Sequence, residues 1–263
     1  MPVTSYPRVK DEFATIKALH DGLSIGRWGD GECKVARGES YVREPANTSL
    51  ALELRNAIAH PNPRFLPAIP NLDPRSPKYE NWLKRAPAFL PFLSPDVQYY
   101  ASTVTRPDTS PWIATQEYAT SVVNLWRGRK VILVSEPTSK LLTLLKGTAR
   151  KYVHIPCPSH GAYAHIDEYE RQIWKGHPDV ALLSHGVSAT CLAHRLACRG
   201  IQALDLGSIG AFLLRMLPRS TQTPGVPAVL RHPECATAVE LRAKLEGYGF
   251  EVQYCGEKSN DSL

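Results

Sequence analysis

Two carboxylates one residue apart, Asp30 and Glu32, stand among glycines in the stretch SIGRWGDGECKVARGES, residues 24–40. Their hard oxygens suit Mg²⁺ or Mn²⁺ held jointly with the phosphates of a substrate. Gly29 and Gly31 permit a tight turn and the close approach of a ligand. Arg27, at the head of the stretch, could pair with a phosphate or orient one of the carboxylates. Asp-Gly-Glu is a poor helix and a poor strand, so an acidic turn whose Asp caps the next helix is the plain alternative.

Three further segments carry candidate chemistry. In LLSHGVSAT, residues 182–190, an apolar run ends in Ser-His-Gly and a helix begins with Ser188 and Thr190. Free N–H groups at such a helix start form an anion site, and Gly186 lets a phosphate come close. The alternative is an ordinary serine N-cap. In IPCPSHGAYAHIDEYE, Ser159 and His160 end a strand, while Asp167 and Glu168 open the next helix. Acidic residues suit a helix N-terminus without any function, and this is the preferred reading of Glu168. Asp167 or His165 could serve as a general base. In ASTVTRPDTSPW, Arg106 and Asp108 follow a strand, with Arg106 either solvated or a phosphate contact. A Walker or G-x-G-x-x-G fingerprint is absent, as is a G-x-S-x-G elbow.

These segments must be positioned by the elements around them. KVILVSE, YVHIPCP, DVALLSHG and IQALDLG read as strands, separated by helices over TSKLLTLLKGTA, YAHIDEYERQIWKG and VSATCLAHRLACRG. Buried strands alternating with helices of about 10–15 residues indicate a parallel, doubly wound sheet. The first half is more interrupted. Residues 8–22 read as a helix, LSIGRWG as a strand and SLALELRNAIAH as a helix. RFLPAIP reads as a short strand, ENWLKRAPAFLPFL as a proline-broken helix, VQYYASTV (97–104) as a strand and IATQEYATSVVNLWRG as a helix. The expectation is an α/β, Rossmann-like, mostly parallel sheet in a single domain over residues 1–219. Residues 220–263 add a loop, a helix and a strand packed on it. In that fold, ligands bind at the carboxyl ends of the strands, where all four candidate segments fall.

Composition sets the class. The chain has 263 residues, 43% of them hydrophobic and 21% charged, which is ordinary for a soluble globular protein. No apolar run approaches the roughly 20 residues of a membrane helix. The N-terminus lacks an apolar signal core, so a cytoplasmic protein is expected. Six cysteines form no C-x-x-C pair, which argues against a zinc-finger site. Cys191 and Cys198 read as two small buried residues of one helix, and all six as reduced. A net charge of +6 is compatible with an anionic partner, but the basic residues are scattered.

SIGRWGDGE resembles the RFGDGE signature of the GT-D type glycosyltransferases. YYASTVTRP, VHIPCPSHGAYAHIDEYERQI and DVALLSHGVSATCLAHRLACRGIQALDLGSIG resemble segments of that family in the same order, over roughly residues 10–215. The resemblance implies a Rossmann-like domain that transfers a sugar from a nucleotide sugar, typically UDP-linked, with Mn²⁺ or Mg²⁺. It places the metal at Asp30 and Glu32 and the signature arginine at Arg27. The donor loop falls at Gly186 and Ser188, with Val187 where the family usually has proline. Gly207-Ser208-Ile209-Gly210 departs from the family's usual Gly-His-x-Asp-like segment.

On this reading a hydroxyl of a glycan or glycolipid is the acceptor, with a modified base in DNA as a variant. The scattered basic residues speak against a strong DNA binder. Arg27, Gly29, Gly31, Arg106, Ser159, Gly186 and Ser188 are the expected donor contacts. Asp167 is the nominated base, with Asp108 and His185 behind it. The competing readings are a catalytically silent sugar-nucleotide-binding module and a metal-dependent phosphohydrolase.

Overall fold

Eight parallel strands gather the apolar runs of the chain into one sheet, in a computed structural model that describes residues 6–217. The strands are β1 (Val9–Lys10), β2 (Ser24–Arg27), β3 (Phe65–Ile69), β4 (Tyr99–Ala101), β5 (Lys130–Ser135), β6 (Lys151–Pro156), β7 (Val180–Ser184) and β8 (Ala203–Asp205). Their order across the sheet is β1-β4-β3-β2-β8-β7-β5-β6. Every pairing is parallel, so the expected mostly parallel sheet is parallel throughout the described residues.

The helices are α1 (Glu12–His20), α2 (Asp30–Ala36), α3 (Thr48–Ala59), α4 (Tyr79–Arg85), α5 (Gln116–Asn124), α6 (Leu141–Thr148), α7 (Ile166–Gly176), α8 (Ser188–Cys198) and α9 (Gly210–Met216). Their buried side chains fall into two cores, one on each face of the sheet. Trp28, Leu50, Leu54, Tyr169, Ile173 and Leu192 belong to the core under α2, α3, α7 and α8. Phe13, Ile16, Val122, Leu144 and Leu213 belong to the core under α1, α5, α6 and α9. Central strands such as β7 are buried on both faces, which is why VALLS reads as a continuous apolar run. β6, at the sheet edge, alternates exposed and half-buried residues up to Ile155.

The winding reverses at β5. The chain leaves β5 through α6 on one face to reach β6, then returns through α7 on the other face to β7. The crevice between β5 and β7 is therefore a topological switch point, where ligands of such sheets bind.

Several local expectations are corrected. The helix expected over residues 8–22 begins at Glu12, because Val9 and Lys10 pair with Tyr99 and Tyr100 at the sheet edge. The strand expected over residues 97–104 ends at Ala101. Residues Ser102–Thr105 form a 3₁₀ turn, fastened by the Thr103 hydroxyl donating to the buried Glu12 carboxylate at 2.6 Å. Asp30-Gly31-Glu32 is the first turn of α2 and not a free turn, with Gly29 in place of Asp30 as its N-cap. Cys191 is buried as expected, but Cys198 is exposed at the end of α8. The proline-broken helix is α4 followed by two 3₁₀ turns that each contain a proline. No helix among the described residues is long and apolar enough to cross a membrane. The loop, helix and strand expected over residues 220–263 lie outside the described residues.

Candidate active site

A cleft of about 520 Å³ opens along the carboxyl ends of the strands. Arg27, Gly29, Asp30, Gly31 and Glu32 line it from the end of β2, Arg106 from the loop after β4, Ser159 from the loop after β6, and Gly186 from the end of β7. Sequence segments up to some 160 residues apart thus meet because parallel strands all point their carboxyl ends the same way.

Trp28 explains how the first segment is held. It is buried and packs on Phe89 and Phe92, with ring centroids 6.4 and 5.5 Å away. This anchors the strand end and starts α2 at Asp30. Glu32 then reaches back, its Oε2 accepting the Gly29 N–H at 2.8 Å, the reciprocal half of a capping box. Gly31 is required by packing, since a Cβ there would sit 2.8 Å from the Tyr41 ring and 3.2 Å from Val187. Burial raises the Glu32 carboxyl to about 7, and the negative charge of Asp205 adds to the rise. Asp30 is half-buried, with Arg85 Nη1 3.3 Å from its Oδ2.

Asp205, at the end of β8, is the site residue that spacing arguments missed. The signal was an acidic residue closing the apolar run IQALDLG. The residue is buried and binds Arg27 three ways: the Arg27 N–H donates to Oδ2 at 3.1 Å, Nη2 donates to Oδ1 at 3.0 Å, and Nε donates to the Asp205 backbone carbonyl at 2.7 Å. Arg27 thus holds the β2–β8 seam through its N–H, Nε and Nη2 while it lines the cleft, where it was expected to meet a phosphate or orient a carboxylate. Gly207 accommodates this arrangement. Its φ is +51°, and a Cβ there would lie 2.2 Å from Arg27 Nη2. In the segment that departs from the family pattern, Ser208 and Gly210 face the cleft beside Gly207.

On the other side of the seam, α8 begins beneath Gly186, whose φ of +82° leaves the space beside its Cα open. No side chain among the described residues caps α8. The Ala189 N–H donates to the Gly186 carbonyl at 3.1 Å, and the positive end of the α8 dipole, next to the cleft-lining Gly186 and Val187, would suit an anion. The Ser188 hydroxyl does not contribute, because it is fully buried in α8 and absent from the cleft wall.

The nominated base is also corrected. Asp167 lies outside the cleft, its side chain 90% exposed, and its Oδ1 accepts from Arg195 Nη1 at 2.6 Å. Arg195 binds Glu53 and Glu170 as well, so Asp167 completes a surface network across α3, α7 and α8. Asp108 is no better placed. Arg106 holds it through two hydrogen bonds of 2.8 and 2.9 Å and Lys78 makes a third contact, so its carboxyl is pushed far below the usual range. Arg106 faces the cleft but spends Nε and Nη2 on Asp108. His185 does face the cleft. Burial lowers its imidazole to about 3, which makes it a weak base. Ser159 is exposed at the rim, its hydroxyl 3.0 Å from Nδ1 of His160. Further charged residues unforeseen from spacing complete the wall: Arg43 paired with Glu136, Glu44, and Lys140 at the start of α6.

No group of three His, Cys, Asp or Glu side chains among the described residues forms a ready metal cage. The donor set nevertheless fits a divalent cation that substrate phosphates help to hold. Asp30 and Glu32 offer hard oxygens, and the Glu32 carboxyl, raised first by burial and then by the charge of Asp205, is one that a bound cation would help to ionise.

Comparison with known proteins identifies the family of this fold. The family described as glycosyltransferase GT-D fold matches residues 25–211. "Glycosyltransferase GlyD" of Streptococcus pneumoniae serotype 4 (strain ATCC BAA-334 / TIGR4) is 25% identical over 205 residues, covering 73% of this chain and 25% of that protein. "Probable glycosyl transferase Gly" of Streptococcus gordonii is 26% identical over 209 residues, covering 73% of this chain and 30% of that protein. The chain thus matches less than a third of the length of these two relatives. A solved structure of the highly conserved domain of unknown function 1792, which has a distinct glycosyltransferase fold, superposes with a TM-score of 0.68. That match has 22% identity and covers 95% of this chain and 92% of the other. With the family matched from β2 through to α9, the chain belongs to the glycosyltransferases of GT-D fold.

Proposed function

We propose that the chain transfers a sugar from a nucleotide sugar, UDP-linked, to an acceptor hydroxyl on a glycan or glycolipid. The observation that supports this most is one cleft with two phosphate-compatible walls. Asp30 and Glu32 stand on one wall and the uncapped start of α8 on the other.

In this reading the diphosphate lies between those walls. Mn²⁺ or Mg²⁺ held by Asp30, Glu32 and phosphate oxygens would neutralise charge on the departing nucleotide. The chain's own residues do the rest. The positive end of the α8 dipole faces phosphate oxygens, and Lys140 and Arg106 supply positive charge from the facing loops. Arg27 and Asp205 hold the two strand ends in register. Gly186 lets the phosphate approach the backbone.

The test is nucleotide release from a panel of nucleotide sugars with Mn²⁺. Appearance of UDP, accelerated by an acceptor glycan, supports transfer. Release of inorganic phosphate from simple esters, without UDP, would identify a phosphohydrolase instead.

A further inference from the structure

Tyr41 lines the cleft as a half-buried side chain, and its hydroxyl makes no hydrogen bond among the described residues. Tyr118 and Tyr163, by contrast, spend theirs on the Val104 carbonyl and the Glu53 carboxylate. Tyr41 opens a tight turn over residues 41–44, after α2. The Tyr41 N–H donates to the Glu44 carbonyl at 2.8 Å and the Glu44 N–H to the Tyr41 carbonyl at 2.9 Å. The turn is fastened to the loop after β6, where the Gly161 N–H donates to the Arg43 carbonyl at 2.8 Å. The ring is set against α2, since a Cβ on Gly31 would meet its Cε1 at 2.8 Å and its Cδ1 at 3.0 Å. Lys34, later in α2, stands over the ring with Nζ 5.9 Å from the centroid. Backbone bonds and packing thus fix the ring, and its hydroxyl is left for a ligand.

The location indicates which part of the ligand. A Cβ on Gly31 would also lie 3.2 Å from Val187, the residue before α8. Gly31 is therefore lodged between Tyr41 and the start of α8, with Asp30 and Glu32 as its neighbours in the chain. Burial raises the Tyr41 phenol above its ordinary 10.0, the charges of Asp30 and Glu32 raise it further, and those of Arg85 and Arg106 oppose the rise. The phenol thus stands among the charged groups of the cleft and keeps its proton at neutral pH. An O–H donor where a carboxylate pair suited to a cation meets a helix N-terminus faces the most negative part of a ligand.

We infer that the Tyr41 hydroxyl donates a hydrogen bond to the diphosphate of the nucleotide donor. The inference rests on the nucleotide-sugar reading given above, which lays the diphosphate between the Asp30/Glu32 wall and α8, and adds a ligand-contacting residue to it. A hydrogen bond to an ionised phosphate oxygen is shorter and stronger than one between neutral groups. A diphosphate offers several oxygens, so a cation at Asp30 and Glu32 and the Tyr41 hydroxyl need not compete for one. Because the ring is fixed before the ligand arrives, little side-chain freedom is lost on binding.

The test measures the affinity of the Mn²⁺-loaded protein for UDP by calorimetry, and for pyrophosphate by its displacement of UDP. Y41F removes the hydroxyl and keeps the ring against Gly31. It is expected to bind both probes at least about tenfold more weakly than the native chain, as loss of one hydrogen bond to a charged group implies. Without nucleotide it is expected to melt like the native chain. Y41L provides the same comparison should phenylalanine disturb the turn. Native affinity for UDP in either variant overturns the assignment. A loss confined to UDP, with pyrophosphate bound as well as by the native chain, places the contact on the nucleoside and overturns it too, as does pyrophosphate that cannot displace UDP from the native chain. Failure of the native chain to bind UDP overturns this assignment together with the donor reading.

Discussion

Arg27 and Asp205 clasp the two central strands at the floor of the cleft, side chain to side chain at 3.0 Å and side chain to backbone at 2.7 Å. Both side chains are largely buried, 14% and 4% exposed. Thr190 of α8 adds its hydroxyl to the same cluster, 3.4 Å from Asp205 Oδ2 and 3.3 Å from the Arg27 carbonyl. One pair thus ties β2, β8 and the helix after β7, the three elements that carry the walls of the cleft.

Removing one member of a buried pair leaves the other charge uncompensated. R27A is expected to lower unfolding stability by about 3 kcal/mol, read from denaturant midpoints. An arginine serving only as a phosphate ligand would behave otherwise, with R27A losing nucleotide affinity at unchanged stability.

Gly207 has no freedom to gain a side chain. G207A combines a φ of +51° with a Cβ 2.2 Å from the Arg27 guanidinium. It should destabilise by about 1–2 kcal/mol and displace the Arg27 head. Alanine at Gly22, which has no atom within 4 Å of its Cβ position and a φ of +89°, should cost only the backbone strain. Equal costs at the two positions would contradict the proposed crowding.

The Glu32 carboxyl makes stability depend on pH in a defined direction. Its folded value of about 7 lies above the ordinary 4.5, so between those values the folded state binds more protons than the unfolded state. Its contribution is therefore fully present below pH 4.5 and is lost as pH rises to about 7. The metal-free protein should lose stability over that window, and E32Q should flatten the loss. Added Mn²⁺ should restore stability to the native chain at pH 8 and not to E32Q. Chemical denaturation at pH 5 and pH 8, with and without Mn²⁺, reads all of these.

Asp167 belongs to the Arg195 network on the outer surface. D167N should leave the rate of nucleotide release unchanged and shift stability by less than about 1 kcal/mol, as for other exposed pairs. A large loss of rate with the fold intact would return Asp167 to the chemistry.

The strands β5 to β8 and their helices were legible in the sequence because β5 and β7 are apolar runs buried on both faces and all four strands alternate with helix-length segments. The rule that ligands bind at carboxyl ends of parallel strands then gathers Asp30, Glu32, Arg106, Ser159 and Gly186 on one cleft. β1 was hidden because a two-residue edge strand has no periodicity to detect. α2 was hidden because its first turn is built from Gly, Asp and Glu, held by a cap and by Trp28 packing on rings more than sixty residues away. The fate of Arg27 could not be read locally, since its partner is 178 residues distant. Asp167 looked functional because an acidic first turn reads the same whether it faces a cleft or solvent.

The most direct measurement is release of UDP from UDP-glucose by the native chain, D30N and E32Q, each with Mn²⁺ and with EDTA. The account predicts release by the native chain that EDTA abolishes, and a loss of at least about 100-fold in both variants while their folds persist by circular dichroism. Release that continues undiminished in EDTA, or in both variants, would contradict it.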